Sequence, residues 1–233
     1  YSPGYLEIPN PYDPAKSTLF LDWRPQGWVN LERAIAQSSN VYFYTVGGGS
    51  GDIKGLGIKR LNGWWQKFNL GKPTGIDLPG EAKGLLPTVE EKEKRTGSPW
   101  LLGDTYNVSI GQGDLLLTPL QLLNYIAAIG NGGKIYRPFI VSNFKHPELE
   151  TDLLNLQTQI SEVKKGMVSA VNFPLGTAYL LHDLPVPVAA KTGTAQILSN
   201  TQANAFFVGF APAEDPEVAI LILVERSREG SLN

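Results

Sequence analysis

Two short stretches carry residue types capable of chemistry, and they lie far apart in the chain. One is Ser38-Ser39-Asn40. The other is Lys191-Thr192-Gly193-Thr194, set between Ala189-Ala190 and Ala195 and entered through the proline-punctuated stretch 184–187. A lysine at a strand end is ordinarily a solvated charge that discourages edge pairing. Followed at once by two threonines around a glycine, it also suits a strand that receives an anionic substrate. An isolated Ser-x-Asn is ordinarily a helix cap. In one continuous helix over residues 31–46, Ser38 and Asn40 would point about 200° apart and could not serve one site. If the helix breaks there, as Ser-Ser-Asn permits by competing for backbone hydrogen bonds, a spacing of two brings both side chains to one cleft.

The rest of the chain must position these residues. With 233 residues and 42% hydrophobic content it can bury a core as one large domain or two small ones. A balance of 20 Lys+Arg against 22 Asp+Glu gives a net charge of -2 and argues against a nucleic-acid-binding surface. The absence of cysteine excludes disulfides, thiolate catalysis and cysteine-ligated metals. His146 and His182 have no second histidine or carboxylate at metal-site spacing, so no metal or cofactor is expected. No apolar run approaches the roughly 20 residues that span a bilayer, and the first residues lack both a basic leader and an initiator methionine. Both ends read as cut from a longer protein.

Residues 1–29, rich in Pro, Gly and aromatics, read as irregular structure or short extended pieces. A helix should start at Asn30 as N-cap, with Leu31, Ala34 and Ile35 on one face. A second helix should run through Ile58, Leu61, Trp65 and Phe68, with Gly71 just past its C-cap. Residues 72–88 read as a shaped loop, and the charged run 90–95 as a solvated face. The clearest helix has Thr118 as N-cap, Pro119 at N1, Gln121 closing a capping box and Gly130 near its exit. Another keeps the helical period through Ile160, Val163, Met167, Ala170 and Val171. The last third is strand-like, and the link 213–216 suggests an antiparallel hairpin. The Lys-Thr-Gly stretch is then the first strand of a three-stranded antiparallel unit covered by helices, an α/β (α+β) fold.

The order of Ser38-Ser39-Asn40 before Lys191-Thr192-Gly193, together with the stretches 109–133, 75–81 and 205–212, resembles the transpeptidase domain of class B penicillin-binding proteins, elongation type. The resemblance runs from about Asn30 onward. It implies the penicillin-binding protein/serine β-lactamase-like fold, incomplete over residues 1–233. It also implies a peptidoglycan D,D-transpeptidase that cross-links D-Ala-D-Ala stem peptides by serine acyl transfer and is acylated by β-lactams. By resemblance Ser38 passes a proton to the leaving amine, and Asn40 holds the nucleophile's lysine and the substrate amide. Lys191 supports the proton traffic and attracts the terminal carboxylate. Thr192 and Thr194 offer hydroxyls to that carboxylate, Gly193 leaves room for close approach, and the Thr194 N–H is one oxyanion donor.

One departure is serious: the family's Ser-x-x-Lys is absent upstream of Ser38, where only Ser17 follows Ser2 and the residue three beyond it is Phe20. Ser161-Glu162-Val163-Lys164 fits the letters inside an amphipathic helix and is read as coincidence. The nucleophile helix is therefore expected before Tyr1, a closing helix after Asn233, and the chain alone is expected to be inactive. The resemblance further implies a parent anchored at the outer face of the cytoplasmic membrane and partnered with a glycan polymerase. A D,D-carboxypeptidase or β-lactamase-type hydrolase, a non-catalytic β-lactam sensor or scaffold, and an unrelated α/β domain with accidental motifs remain as alternatives. A sheet without its neighbours should leave the fragment poorly stable, or associated with itself or with its excised remainder.

Overall fold

A computed structural model describes residues 1–10, 12–141, 146–197 and 202–227. The chain opens with an antiparallel hairpin, β1 (Tyr5–Asn10) and β2 (Asp13–Leu21). This is more regular than the irregular or short extended structure expected there. Pro9 and Pro14 disguise it, because a proline removes a ladder donor and is tolerated only where a strand lies at an edge. In a two-stranded sheet both strands are edges.

Helix α1 (Leu31–Ala36) starts at Asn30, whose Oδ1 accepts from Arg33 N at 2.9 Å, as the sequence predicts. It ends before Ser38, which takes a left-handed backbone at φ 55, and α2 (Asn40–Gly48) restarts with Ser39 as N-cap. The helix does break at Ser-Ser-Asn. α3 (Gly57–Lys67) follows the expected pattern except at its exit, where Asn69 at φ 59 takes the first left-handed position ahead of Gly71 at φ 78. α4 (Val89–Thr96) is the charged run and buries none of its residues. α5 (Leu102–Ser109) was not legible in the sequence. α6 (Pro119–Gly130) carries the full capping box, with Thr118 N donating to Gln121 Oε1 at 3.1 Å and Gln121 N to Thr118 Oγ1 at 3.1 Å. A short hairpin, β3 (Lys134–Tyr136) with β4 (Leu149–Asp152), links α6 to α7 (Gln157–Asn172). Among the described residues no helix is long and apolar enough to cross a membrane.

The C-terminal third forms an antiparallel sheet in the order β5 (Ala189–Ile197), β6 (Gln202–Ala211), β7 (Val218–Ser227). Its helix-facing side joins α6 and α7 in the main core, where Ile126, Ile129, Ile160 and Met167 meet Ala189, Val208 and Phe210. α1 packs closely on α7: a Cβ added at Gly166 would lie 2.7 Å from Ile35 Cβ, so a glycine is needed at that crossing. α2 packs as tightly on α5, since a Cβ at Gly48 would meet the Tyr106 ring at 2.3 Å. Buried Tyr106 donates its hydroxyl to Gly49 O at 2.7 Å and anchors the same joint. Through these contacts the Ser38 turn is tied to α7, and α7 to β5.

Candidate active site

The pleat of β5 decides where each residue of Lys-Thr-Gly-Thr can act. Lys191 opposes Val208 and Ala189 opposes Phe210, so Lys191 lies on the helix-covered side of the sheet. Thr192 and Thr194 lie on the other side. What these residues share is the outer edge of β5, since among the described residues β6 pairs with one flank and no strand with the other. From that edge Lys191 Nζ reaches the Ser38 turn and donates to Ser38 Oγ at 2.9 Å. It also donates to the Thr192 carbonyl. Burial pushes the Lys191 amine down from 10.5 to about 8, since a desolvated ammonium is disfavoured.

Because the ammonium is the donor in this pair, the Ser38 hydroxyl keeps its own hydrogen free to give to a leaving group, and Lys191 can then replace it. That is the chemistry of a proton shuttle. Asn40 sits one residue past the break and donates from Nδ2 to Leu21 O at 3.3 Å. The structure thus brings Ser38 and Lys191 into direct contact, and ties the Asn40 side chain to the end of β2. Ser161 and Lys164 are on α7, and Lys164 Nζ donates to Gly130 O at 3.4 Å and Glu214 O at 3.1 Å, away from the Ser38–Lys191 pair. That matches the reading of this Ser-x-x-Lys as coincidence.

Gln112 is a cleft residue that motif reasoning passed over. Its Nε2 donates to Thr194 O at 2.9 Å, and its Oε1 accepts from Gln196 N at 3.3 Å. One side-chain amide thereby imitates a residue of a neighbouring strand on the open edge of β5, bonding on either side of Ala195 in the pattern of a parallel ladder. A residue's N–H and C=O point to the same edge of a strand, so the Thr194 N–H faces the cleft as well. Gly111 at φ 76 and Gly113 at φ 70 bend the loop that presents Gln112. The Gly-Gln-Gly spelling was the available signal.

Helices layered on a three-stranded antiparallel sheet, with Lys191 donating to Ser38 at a broken helix beside the edge strand β5, define the frame against which relatives can be compared. The family model for the penicillin-binding protein transpeptidase domain matches residues 8–232, and the chain belongs to that family. It is 33% identical over 259 aligned positions to the peptidoglycan D,D-transpeptidase MrdA of Haemophilus influenzae, covering 100% of this chain and 38% of that protein. A Helicobacter pylori penicillin-binding protein 2 solved in complex with MreC superposes with a TM-score of 0.85 at 35% identity, covering 99% of this chain and 42% of that one. Pseudomonas aeruginosa penicillin-binding protein 2 in complex with WCK 5153 gives 0.83 at 34% identity, covering 99% of this chain and 50% of that one. The chain therefore spans half or less of the length of these relatives.

Proposed function

We propose that this chain forms the cleft wall of a peptidoglycan D,D-transpeptidase that cross-links stem peptides and is acylated by β-lactams. The observation that carries the reading is the 2.9 Å contact between Ser38 Oγ and Lys191 Nζ at the mouth of the β5 edge. In the reaction a nucleophilic serine, supplied by a Ser-x-x-Lys segment preceding Tyr1 in the parent, gives its proton to that segment's lysine and forms an ester with the penultimate D-Ala carbonyl. The C–N bond to the terminal D-Ala breaks as its nitrogen takes the Ser38 proton. Lys191 then returns a proton to Ser38 Oγ. The acceptor amine attacks the ester, forms the cross-link and releases the serine.

Lys191, Thr192 and Thr194 are assigned to the substrate's terminal carboxylate, Gly193 to close approach, the Thr194 N–H to the oxyanion, and Asn40 to the nucleophile's lysine and the substrate amide. Residues 1–233 are assigned as a partial transpeptidase domain, completed by that upstream helix and by a closing helix after Asn233. The parent acts outside the cytoplasm, anchored at the outer face of the membrane and beside a glycan polymerase. The Helicobacter pylori relative's complex with MreC supports assembly with other proteins.

The test is to treat the full-length parent and this chain with a labelled penicillin and map the adduct by peptide mass spectrometry. The reading expects an adduct upstream of Tyr1 and none on this chain. An adduct on Ser38 or Ser161 overturns the role assignment. No stable adduct on the parent points instead to a rapid hydrolase or a non-catalytic scaffold.

A further inference from the structure

Ser38 is not glycine, yet its backbone sits at φ 55, in the left-handed region where an L side chain is strained. Such a conformation persists only where surrounding contacts over-determine it, and it gathers where function needs it. Part of the support is local: Ser38 N donates to Ile35 O at 3.2 Å and Ser39 N to Ala34 O at 2.8 Å, closing the end of α1 around a left-handed residue. The rest comes from outside, from the stretch Leu21–Gln26 at the exit of β2. Asp22 Oδ2 accepts from Val41 N at 3.1 Å, from Ser39 Oγ at 3.2 Å and from Ser2 Oγ at 3.4 Å. Asp22 therefore holds the start of α2 from outside the helix. On the other side of the break, Trp23 Nε1 donates to Gln37 O at 3.0 Å and to Ser38 O at 3.2 Å. Gln26 Nε2 adds a bond to Gln37 O at 3.2 Å, and Arg24 reaches Gln37 Oε1 at 3.2 Å while stacking on the Trp23 ring at 4.3 Å. Leu21 O receives Asn40 Nδ2 and the Tyr44 hydroxyl, each at 3.3 Å.

We propose that Asp22 and Trp23 are positioning residues for the acyl-transfer reaction, clamping the turn over residues 37–41 so that Ser38 Oγ meets Lys191 Nζ. The proposal rests on the transpeptidase reading. Trp23 is 52% exposed, and its N–H is spent on the carbonyls of Gln37 and Ser38, on either side of the Ser38 nitrogen and Cα. Asp22 differs from an ordinary N-cap in lying outside α2: it leaves Ser39 to cap the helix and fixes the capping residue itself. The two side chains grip opposite ends of the break, and the residue between them is the one that touches Lys191.

The experiment uses the full-length parent and the second-order rate of its acylation by a fluorescent penicillin, with thermal melts alongside. Trp23→Phe keeps an aromatic ring and removes the N–H donor. It should slow acylation about tenfold while the melting temperature moves by no more than about 2 °C, because small misplacements in a reacting constellation cost rate before they cost stability. Asp22→Asn, which keeps an acceptor, should lose less than Asp22→Ala. In a Ser38→Ala background, with residual acylation read over hours, the loss from Trp23→Phe should shrink below about twofold, because a residue that acts through Ser38 has nothing left to position. A Trp23→Phe rate within twofold of wild type, or an equal loss in both backgrounds, would overturn the proposal. Should Asp22→Ala fail to fold, Trp23→Phe and Asp22→Asn still decide it. A wild-type parent that is never labelled refutes the acyl-transfer reading itself and removes the basis for this inference. Failure of the clamp alone leaves the wild type labelled, so the two failures are distinct.

Discussion

Raising the pH should disarm the cleft before it harms the fold. With Lys191 pushed down to about 8, roughly nine-tenths of the amines are charged at pH 7 and only about one-tenth at pH 9. A lysine at its ordinary 10.5 would stay almost fully charged across that range. The neutral amine can neither attract a carboxylate nor restore the Ser38 proton. The acylation rate of the full-length parent should therefore fall about tenfold between pH 7 and pH 9, with its midpoint near the Lys191 value. Stability moves the other way for this group. Between about 8 and 10.5 the unfolded lysine holds a proton that the folded one has lost, so the Lys191 contribution to stability rises with pH. A loss of rate in that window accordingly reflects a lost charge and not unfolding. The assay is stopped-flow or gel-read acylation from pH 6 to 10, paired with thermal melts and with Lys191→Arg, whose charge persists throughout. A wild-type rate that stays flat to pH 9.5, or a Lys191→Arg profile with the same descending limb, would refute the reasoning.

Gly166→Ala places a methyl 2.7 Å from Ile35 Cβ and must push α1 off α7. It should destabilise the protein by about 1–3 kcal/mol in denaturant titration and slow acylation by shifting the Ser38 turn. Gln112→Ala removes the side-chain bonds on the β5 edge, so hydrogen exchange at the Gln196 amide should rise severalfold while the β5–β6 ladder stays protected. On β7, Val218, Ile220, Ile222 and Val224 expose 63%, 46%, 46% and 41% of their surface along one face of an edge strand. This chain alone should self-associate in analytical ultracentrifugation, and a monomeric species with a cooperative melt would count against that expectation.

The readable parts of the sequence were those whose signals are local. α6 announces itself through Thr118, Pro119 and Gln121 within four residues, and α7 through an apolar stripe that ends in Ala170 and Val171. The β5–β6–β7 unit follows from β-rich runs separated by a short turn. The break at Ser38 could be stated only as a condition, because Ser-Ser-Asn permits a break without requiring one. The bonds from Ser38 N to Ile35 O and from Ser39 N to Ala34 O close α1, and the grip of Asp22 and Trp23 on Ser39, Gln37 and Ser38 braces the break from outside; that grip depends on the β1–β2 hairpin, which prolines conceal. For Gln112 the flanking glycines signalled a tight loop, but its partner Thr194 is 82 residues away, and no local pattern encodes such a pair. α5 carries few apolar side chains at helical spacing and is placed by Tyr106 meeting Gly48 and Gly49, again a tertiary cause.

The Ser38–Lys191 hydrogen bond joins residues 153 positions apart, and this imposes an order on the making of the protein. As a chain grows from its N-terminus, Ser38 and its clamp exist long before β5 does. At roughly 5–20 residues per second, the lysine that completes the pair emerges at least several seconds after the serine. In the folded protein β5 is held by β6, whose residues are made later still, and α7 packs against α1. The Ser38–Lys191 pair thus cannot exist in any nascent chain that ends before Lys191, however early the serine's own turn is made.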